Sequence, residues 1–388
     1  MESNLLNMLI NICKLNLSII IFCFIFISLF NYVSATVWAT NRNLPSGTSG
    51  IAYTYISSLW MSPTQSLIVG NQGNLGGGSV ILKTNDKGIS WSSSTVTSGS
   101  FGTLTALTQN RVSGTIYFLS VGYQFQLSSS NTVGRVLLSK NSNGSVWSIA
   151  ATTYLDKSSV SQPLPELYTV CLGSNGYAYA AGQPSANIFS IYIATSDPYS
   201  QWSLSHSWSD TSFIALGMAT NDGVNVIAVG SHTSNVTFIN TGAVFRSSDM
   251  GSSWSITYIS QTTSLYAAAA VSSSIFYIGG SSGYIARSTD SGSTWSRISY
   301  SNVNYAFYSI SLLSSTSVYV AGYNTDNTPV LGLVLKSTDS GTTWETEVTK
   351  LQSTTTVAMY DADTGVAGDA SIYSKVPGNT FLFSTAEV

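Results

Sequence analysis

One nine-residue pattern recurs along the chain and limits what it can become. Arg246 opens RSSDMGSSW, Arg287 opens RSTDSGSTW, Lys336 opens KSTDSGTTW and Lys83 opens KTNDKGISW. The shared core is Ser/Thr-x-Asp-x-Gly-x-x-Trp. Two weaker copies keep the frame. KNSNGSVW at 140–147 retains Gly144 and Trp147 but has Ser142 in place of Asp, and TSDPYSQW at 195–202 retains Asp197 and Trp202 but has Tyr199 in place of Gly. A last, eroded copy, SKVPGNTF at 374–381, keeps Gly378 and carries Phe381 in place of Trp. The tryptophans at 91, 147, 202, 254, 295 and 344 are 56, 55, 52, 41 and 49 residues apart. That is the span of one four-stranded propeller blade.

A second element precedes each copy. It is an apolar run ending in glycine: LIVG at 67–70, FLSVG at 118–122, YAAG at 179–182, IAVG at 227–230, YIGG at 277–280, YVAG at 319–322 and GVAG at 365–368. Another β-rich run lies before each and a third after it. Short apolar runs bounded by Gly, Asn and Ser read as buried strands, and no part of the chain after the N-terminal segment shows helical periodicity. The expected fold is therefore all-β: a seven-bladed β-propeller of four-stranded antiparallel blades, with the Asp-box hairpin between the third and fourth strands. Val37-Trp38-Ala39-Thr40 looks like a fourth strand detached from its repeat. It is expected to complete the last blade and remove the open edge of the ring, with Phe381-Leu382-Phe383 as the alternative.

The residues of the box have folding reasons. The carboxylates of Asp86, Asp197, Asp249, Asp290 and Asp339 can accept turn N–H groups. The glycines Gly88, Gly144, Gly251, Gly292 and Gly341 supply a positive φ. The indoles of Trp91, Trp147, Trp202, Trp254, Trp295 and Trp344 return the chain to apolar packing. Lys83, Arg246, Arg287 and Lys336 each stand eight residues before a box tryptophan, which marks a register position.

These boxes resemble the BNR/Asp-box propeller superfamily, which includes sialidases, sortilin-type receptors, xyloglucanases and photosystem II stability/assembly factor-like proteins. The last group is the nearest in pattern, on the opening Trp38-x5-Leu44-Pro45, the apolar-Gly strand followed by Gly-x-apolar and a box, and the seven units. The resemblance implies the propeller architecture and leaves the job open, because one fold hosts many chemistries.

Composition narrows the choice. Only 8% of residues are charged and the net charge is −3, against roughly 25% charged in an average domain. No basic stretch marks a nucleic-acid footprint. Sialidases need an arginine cluster. The arginines here are Arg42, Arg111, Arg135, Arg246, Arg287 and Arg297, two of them register positions, and the Phe/Tyr-Arg-Ile-Pro motif has no match. Other glycosidases need two carboxylates across a cleft. The acids outside the boxes and the N-terminal segment are Asp156, Glu166, Asp210, Asp222, Asp326, Glu345, Glu347, Asp361, Asp363, Asp369 and Glu387. His206 and His232 are not at metal-ligand spacing, no cofactor motif is present, and Cys171 sits in an apolar strand.

The leading expectation is a non-enzymatic, monomeric binding or scaffold propeller. It would recognise a protein or glycan on the face that carries the longer loops, 122–131, 155–166, 206–210, 231–240 and 323–329. Its candidate binding residues are Tyr123, Phe125, His206, Trp208, His232, Tyr323 and Asp326. The alternatives are a glycoside hydrolase of sialidase/xyloglucanase-related type and a membrane-anchored adhesive surface protein.

Residues 15–30, LNLSIIIFCFIFISLF, follow Lys14 and precede the small residues Val33-Ser34-Ala35. This reads as a signal peptide over 1–35, leaving one propeller domain over 36–388 that is secreted or lumenal. Sequons at Asn143 and Asn235 are compatible with that route. Membrane attachment follows only if the segment stays uncleaved. N-terminal sequencing of secreted material should begin at Thr36; recovery of Met1 would show the anchored form.

Overall fold

The computed structural model describes residues 37–40 and 53–376, apart from 73–77, 97–101, 127–130, 141–142, 186–187, 211, 235–236, 238, 299, 301–302, 325–330, 352–353 and 370–371. The leader, the sequon residue Asn235, and Gly378 with Phe381–Phe383 lie outside the described residues. No helix occurs among the described residues.

The chain forms seven antiparallel blades. Blade 1 holds Tyr53–Ser62, Gln65–Gln72, Ser79–Thr84 and Ser92–Ser93. Blade 2 holds Thr103–Val112, Thr115–Gln126, Asn131–Ser139 and Val146–Ala151. Blade 3 holds Leu167–Leu172, Ala178–Gly182, Phe189–Ala194 and Trp202–Trp208. Blade 4 holds Phe213–Thr220, Val226–Thr233, Asn240–Ser247 and Ser255–Ile259. Blade 5 holds Leu265–Ala270, Phe276–Gly280, Ile285–Ser288 and Ser296–Arg297. Blade 6 holds Tyr305–Leu312, Val318–Asn324, Gly332–Ser337 and Glu345–Leu351. Blade 7 holds Thr354–Met359, Gly365–Asp369 and Ile372–Val376, and Val37–Thr40 is its fourth strand. The detached N-terminal strand thus takes the place expected of it.

Two blades exceed four strands. Thr95–Val96 adds to blade 2, parallel to Val146–Ala151. In blade 3, Thr153–Leu155 runs parallel to Trp202–Trp208, and Ser161–Pro163 pairs antiparallel outside it.

The first strand of each blade packs against the first strands of its two neighbours, blade 7 against blade 1 included, so the ring is closed. The buried apolar residues fall into seven clusters, one between each pair of adjacent blades. A tryptophan joins six of them. Trp147 of blade 2 packs with Leu67, Val69 and Ile81 of blade 1, and Trp91 of blade 1 packs with Ala358 and Val366 of blade 7. Each of the six indoles packs against the preceding blade; Trp91, Trp147 and Trp202 are buried, and Trp254, Trp295 and Trp344 are partly buried.

The Asp turns explain how the indole gets there. In the blade 5 turn, the Ser288 hydroxyl accepts the Gly292 N–H at 2.8 Å and donates to Asp290 Oδ1 at 2.8 Å. Asp290 also accepts the Thr294 N–H at 2.8 Å and the Thr294 hydroxyl at 2.6 Å. The turns at Asp249 and Asp339 repeat this network. Two successive residues take positive φ, 60° at Ser291 and 82° at Gly292.

The turn backbone is also a dock. Gly144 O accepts from Ser94, Gly251 O from Ser205, Ser291 O from Arg246 and Gly88 O from Ser374, each donor belonging to the preceding blade. A part-buried ion pair, Lys375 Nζ to Glu347 Oε2 at 2.8 Å, ties blade 7 to blade 6.

Hydroxyl donors, Thr294 and Thr343 first, hold the Asp290 and Asp339 carboxyls down at about 2. Their folded values lie below the unfolded carboxylate value of about 3.9. The stability they contribute is therefore present above about pH 4 and is lost as pH falls toward 2. The thermal midpoint should drop across that window. The double variant Asp290→Asn, Asp339→Asn should melt lower at pH 7 and show a shallower acid decline; an unchanged acid limb would contradict the assignment.

Candidate ligand site at the central channel

The seven first strands share one irregularity. Each carries a single-residue bulge at the same register: Ile56, Thr105, Tyr168, Leu216, Tyr266, Tyr308 and Thr355. A bulge leaves one residue unpaired and re-aims its side chain. All seven line one cavity of about 630 Å³ on the propeller axis, to which every blade contributes.

The repeated glycine of the second strand makes the bulge possible. The residue before the bulge pairs with Gly70, Gly122, Gly182, Gly230, Gly280 or Gly322 in blades 1 to 6. The bulge presses the first-strand backbone onto the glycine. A Cβ at Gly230 would overlap the Ile214 carbonyl oxygen, and one at Gly280 that of Ser264. Blade 7 slips by one: Gly368 pairs with Thr356, and Asp369 takes the register of the other glycines. The GVAG motif is therefore one residue out of step with the other six.

Among the described residues, the cavity wall carries no Asp, Glu, Lys, Arg or His. It divides into two arcs. In blades 2 and 7 the bulge is a threonine used for cohesion. Thr105 Oγ1 donates to Leu167 O of blade 3 at 2.8 Å, and Thr355 Oγ1 to Tyr55 O of blade 1 at 2.7 Å. From blade 3 to blade 6 the bulge residues are Tyr168, Leu216, Tyr266 and Tyr308, an aromatic arc.

Neighbouring groups fix the arc. Tyr266 stacks on Tyr308, with centroids 4.5 Å apart and planes at 25°, and Tyr308 stacks on Tyr323 at 4.7 Å and 11°. Tyr168 meets Tyr123 edge-on at 6.0 Å. Its hydroxyl donates to Glu166 Oε2 at 2.8 Å, while Glu166 Oε1 accepts from Thr132 at 2.7 Å. Burial, and then Glu166, push the Tyr168 phenol well above its ordinary value. Burial, and then Tyr323, do the same at Tyr308. These phenols are neutral donors and apolar faces, the opposite of an activated nucleophile.

The structure divides the residues singled out from the sequence. Tyr123 and Tyr323 support bulge tyrosines at the channel. His206, Trp208 and His232 lie elsewhere, in an aromatic cluster of blades 3 and 4. All five are on strands and partly buried, so the expectation of loop residues is corrected for them. Phe125 also lies on a strand, and Asp326 lies outside the described residues. Sequence reasoning missed Tyr168, Tyr266 and Tyr308. Their signal was faint: each follows the apolar residue that pairs with the repeated glycine.

No protein-family model and no curated protein matches the sequence. Solved structures do match in fold. A structure described as YCF48 bound to D1 peptide is 14% identical with a TM-score of 0.57, covering 91% of this chain and 98% of the other. YCF48 from Cyanidioschyzon merolae is 14% identical with a TM-score of 0.55, covering 88% of this chain and all of the other. The GH74 xyloglucanase from Xanthomonas campestris is 12% identical with a TM-score of 0.57; the match covers 89% of this chain and 54% of the enzyme. What the three share with this chain is the propeller fold.

The glycine–bulge pairing is directly testable. Gly230→Ala should force the blade 4 bulge against its partner strand and destabilise by roughly 1–3 kcal/mol or more, read as a lower thermal midpoint. Gly78→Ala, where an added Cβ meets nothing within 4 Å, should be neutral. Equal effects at both positions would reject the packing explanation.

Proposed function

The fold supports a binding or scaffold role, and we propose that the chain is a secreted or lumenal, monomeric, non-enzymatic propeller that captures an uncharged, extended segment of a partner protein at the central channel. The observation that carries this is the cavity wall: no ionisable acid or base other than tyrosine, and three fixed tyrosine rings. Burying an unpaired charge there would cost several kcal/mol, so the wall selects against charged segments. Aromatic faces flanked by hydroxyls and backbone groups suit a neutral peptide. The peptide-bound YCF48 structure supports the reading as a precedent in the same fold.

Glycoside hydrolysis needs two carboxyl groups across the scissile bond, and the wall offers none. The nearby Glu166 is engaged by Tyr168 and Thr132 on its two oxygens. Binding is the chemistry these residues support.

A panel of immobilised 12-residue peptides of graded net charge tests the proposal on the purified full propeller. Uncharged peptides with aromatic or proline residues should bind best. The double variant Tyr266→Ser, Tyr308→Ser should lose at least about tenfold in affinity, since aromatic pairs contribute about 0.5–1.5 kcal/mol each beyond their buried area. Preference for charged peptides, or full binding by the double variant, would refute it.

A further inference from the structure

The chain holds two histidines, and both lie in one aromatic cluster at the outer, loop-face ends of blades 3 and 4. The His206 ring lies 4.5 Å from Trp208, and the His232 ring 5.3 Å from Tyr258. A buried floor joins the two couples. Phe245 lies 5.1 Å from Trp208 and 5.2 Å from Phe213, and Phe213 lies 4.5 Å from His232. Tyr258 is nearly parallel to Phe213, at 18°, and is 52% exposed. It is a braced ring open to solvent.

The fringe is polar and balanced. Asp210, in the connection between the two blades, places Oδ2 3.4 Å from His232 Nε2, while its Oδ1 accepts the Ser212 N–H at 2.7 Å. The extra hairpin of blade 3, Thr153–Leu155 with Ser161–Pro163, carries exposed Lys157 toward His206. Burial lowers the His206 pKa, and Lys157 lowers it further. His206 is therefore a neutral imidazole at pH 7, with both donor and acceptor capacity.

We propose that this patch is a second site, separate from the channel, that binds a neutral hexopyranose. A sugar ring presents C–H groups on its faces and hydroxyls around its edge. The exposed Tyr258 face fits the first, and the carboxylate, imidazoles and ammonium fit the second. The fringe carries groups of both signs, Lys157 near His206 and Asp210 beside His232, so nothing here selects a charged peptide. The rings of the patch stand on regular strands of blades 3 and 4, while two elements of its fringe, the blade 3 hairpin and the Asp210 connection, lie outside the four-strand repeat. The site does not depend on the channel reading.

The test uses the full propeller and a panel of neutral oligosaccharides: gluco-, manno-, galacto- and xylo-configured tri- to hexasaccharides, by saturation-transfer NMR and calorimetry. At least one hexose series should bind, with ring protons showing the strongest transfer. Tyr258→Ala, a change at an exposed ring, should weaken it at least tenfold. Asp210→Asn should weaken it several-fold while leaving the thermal midpoint within a degree or two. The channel variant Tyr266→Ser, Tyr308→Ser should bind the same sugar as well as the parent. No binding by any series, preference for charged peptides at this patch, or binding indifferent to both Tyr258→Ala and Asp210→Asn would overturn the proposal. Loss with the channel variant but not with Tyr258→Ala would move the sugar to the channel and overturn it equally.

Discussion

The structure depends on the seating of the tryptophan turns of blades 1 to 6, each on the blade before it. A twisted four-stranded sheet has two faces and cannot bury either alone. Here the indole of one blade packs into the gap to its predecessor, and the turn carbonyl accepts a hydrogen bond from a side chain of that predecessor. The Asp network is what presents that turn. Ser or Thr two residues before the Asp holds the glycine N–H, and Ser or Thr just before the Trp closes onto the carboxylate. A degraded turn keeps the function by other means. At Tyr199 a left-handed residue with φ 58° replaces glycine, its ring is buried, and its carbonyl accepts the Trp202 indole N–H at 2.9 Å.

Closing the ring sets the geometry at its centre. Seven strands converge on the axis, and each bulges at the same level. The bulge aims one side chain per blade inward. In blades 1 to 6 the partner strand has no side chain where the backbones meet, which gives the repeated glycine its place, and blade 7 sets Asp369 there instead. The seven inward residues divide in two groups. Two threonines clip neighbouring blades together, while three tyrosines and two aliphatic residues line the cavity. Among the described residues no charged side chain lines this wall, and the part-buried pair Lys375–Glu347 ties blade 7 to blade 6.

The blades with added strands are blades 2 and 3. The added strands of blades 2 and 3 widen the sheets there, and the blade 3 hairpin brings Lys157 beside the His206–Trp208 couple. A repeat built for cohesion gives equivalent positions equivalent neighbours. The two histidines stand beside elements outside that repeat, His206 near the hairpin residue Lys157 and His232 against Asp210 of the blade 3–blade 4 connection.

The blade count, the strand order within a blade and the role of the N-terminal strand were legible in the sequence, because they follow from local periodicity. Asp-x-Gly-x-x-Trp and apolar-Gly are short-range signals, and each repeat confirms the next. The candidate site was half legible. Tyr123, Tyr323, His206, Trp208 and His232 could be picked out as aromatic or titratable groups near long loops, but not assigned to two separate clusters. Tyr168, Tyr266 and Tyr308 read as ordinary strand residues, since alternation along a strand does not reveal a bulge. Whether a residue is the unpaired one depends on its register against a glycine on the neighbouring strand, and whether it meets its counterparts depends on seven strands converging on one axis. Those are long-range relations, and only the closed ring decides them.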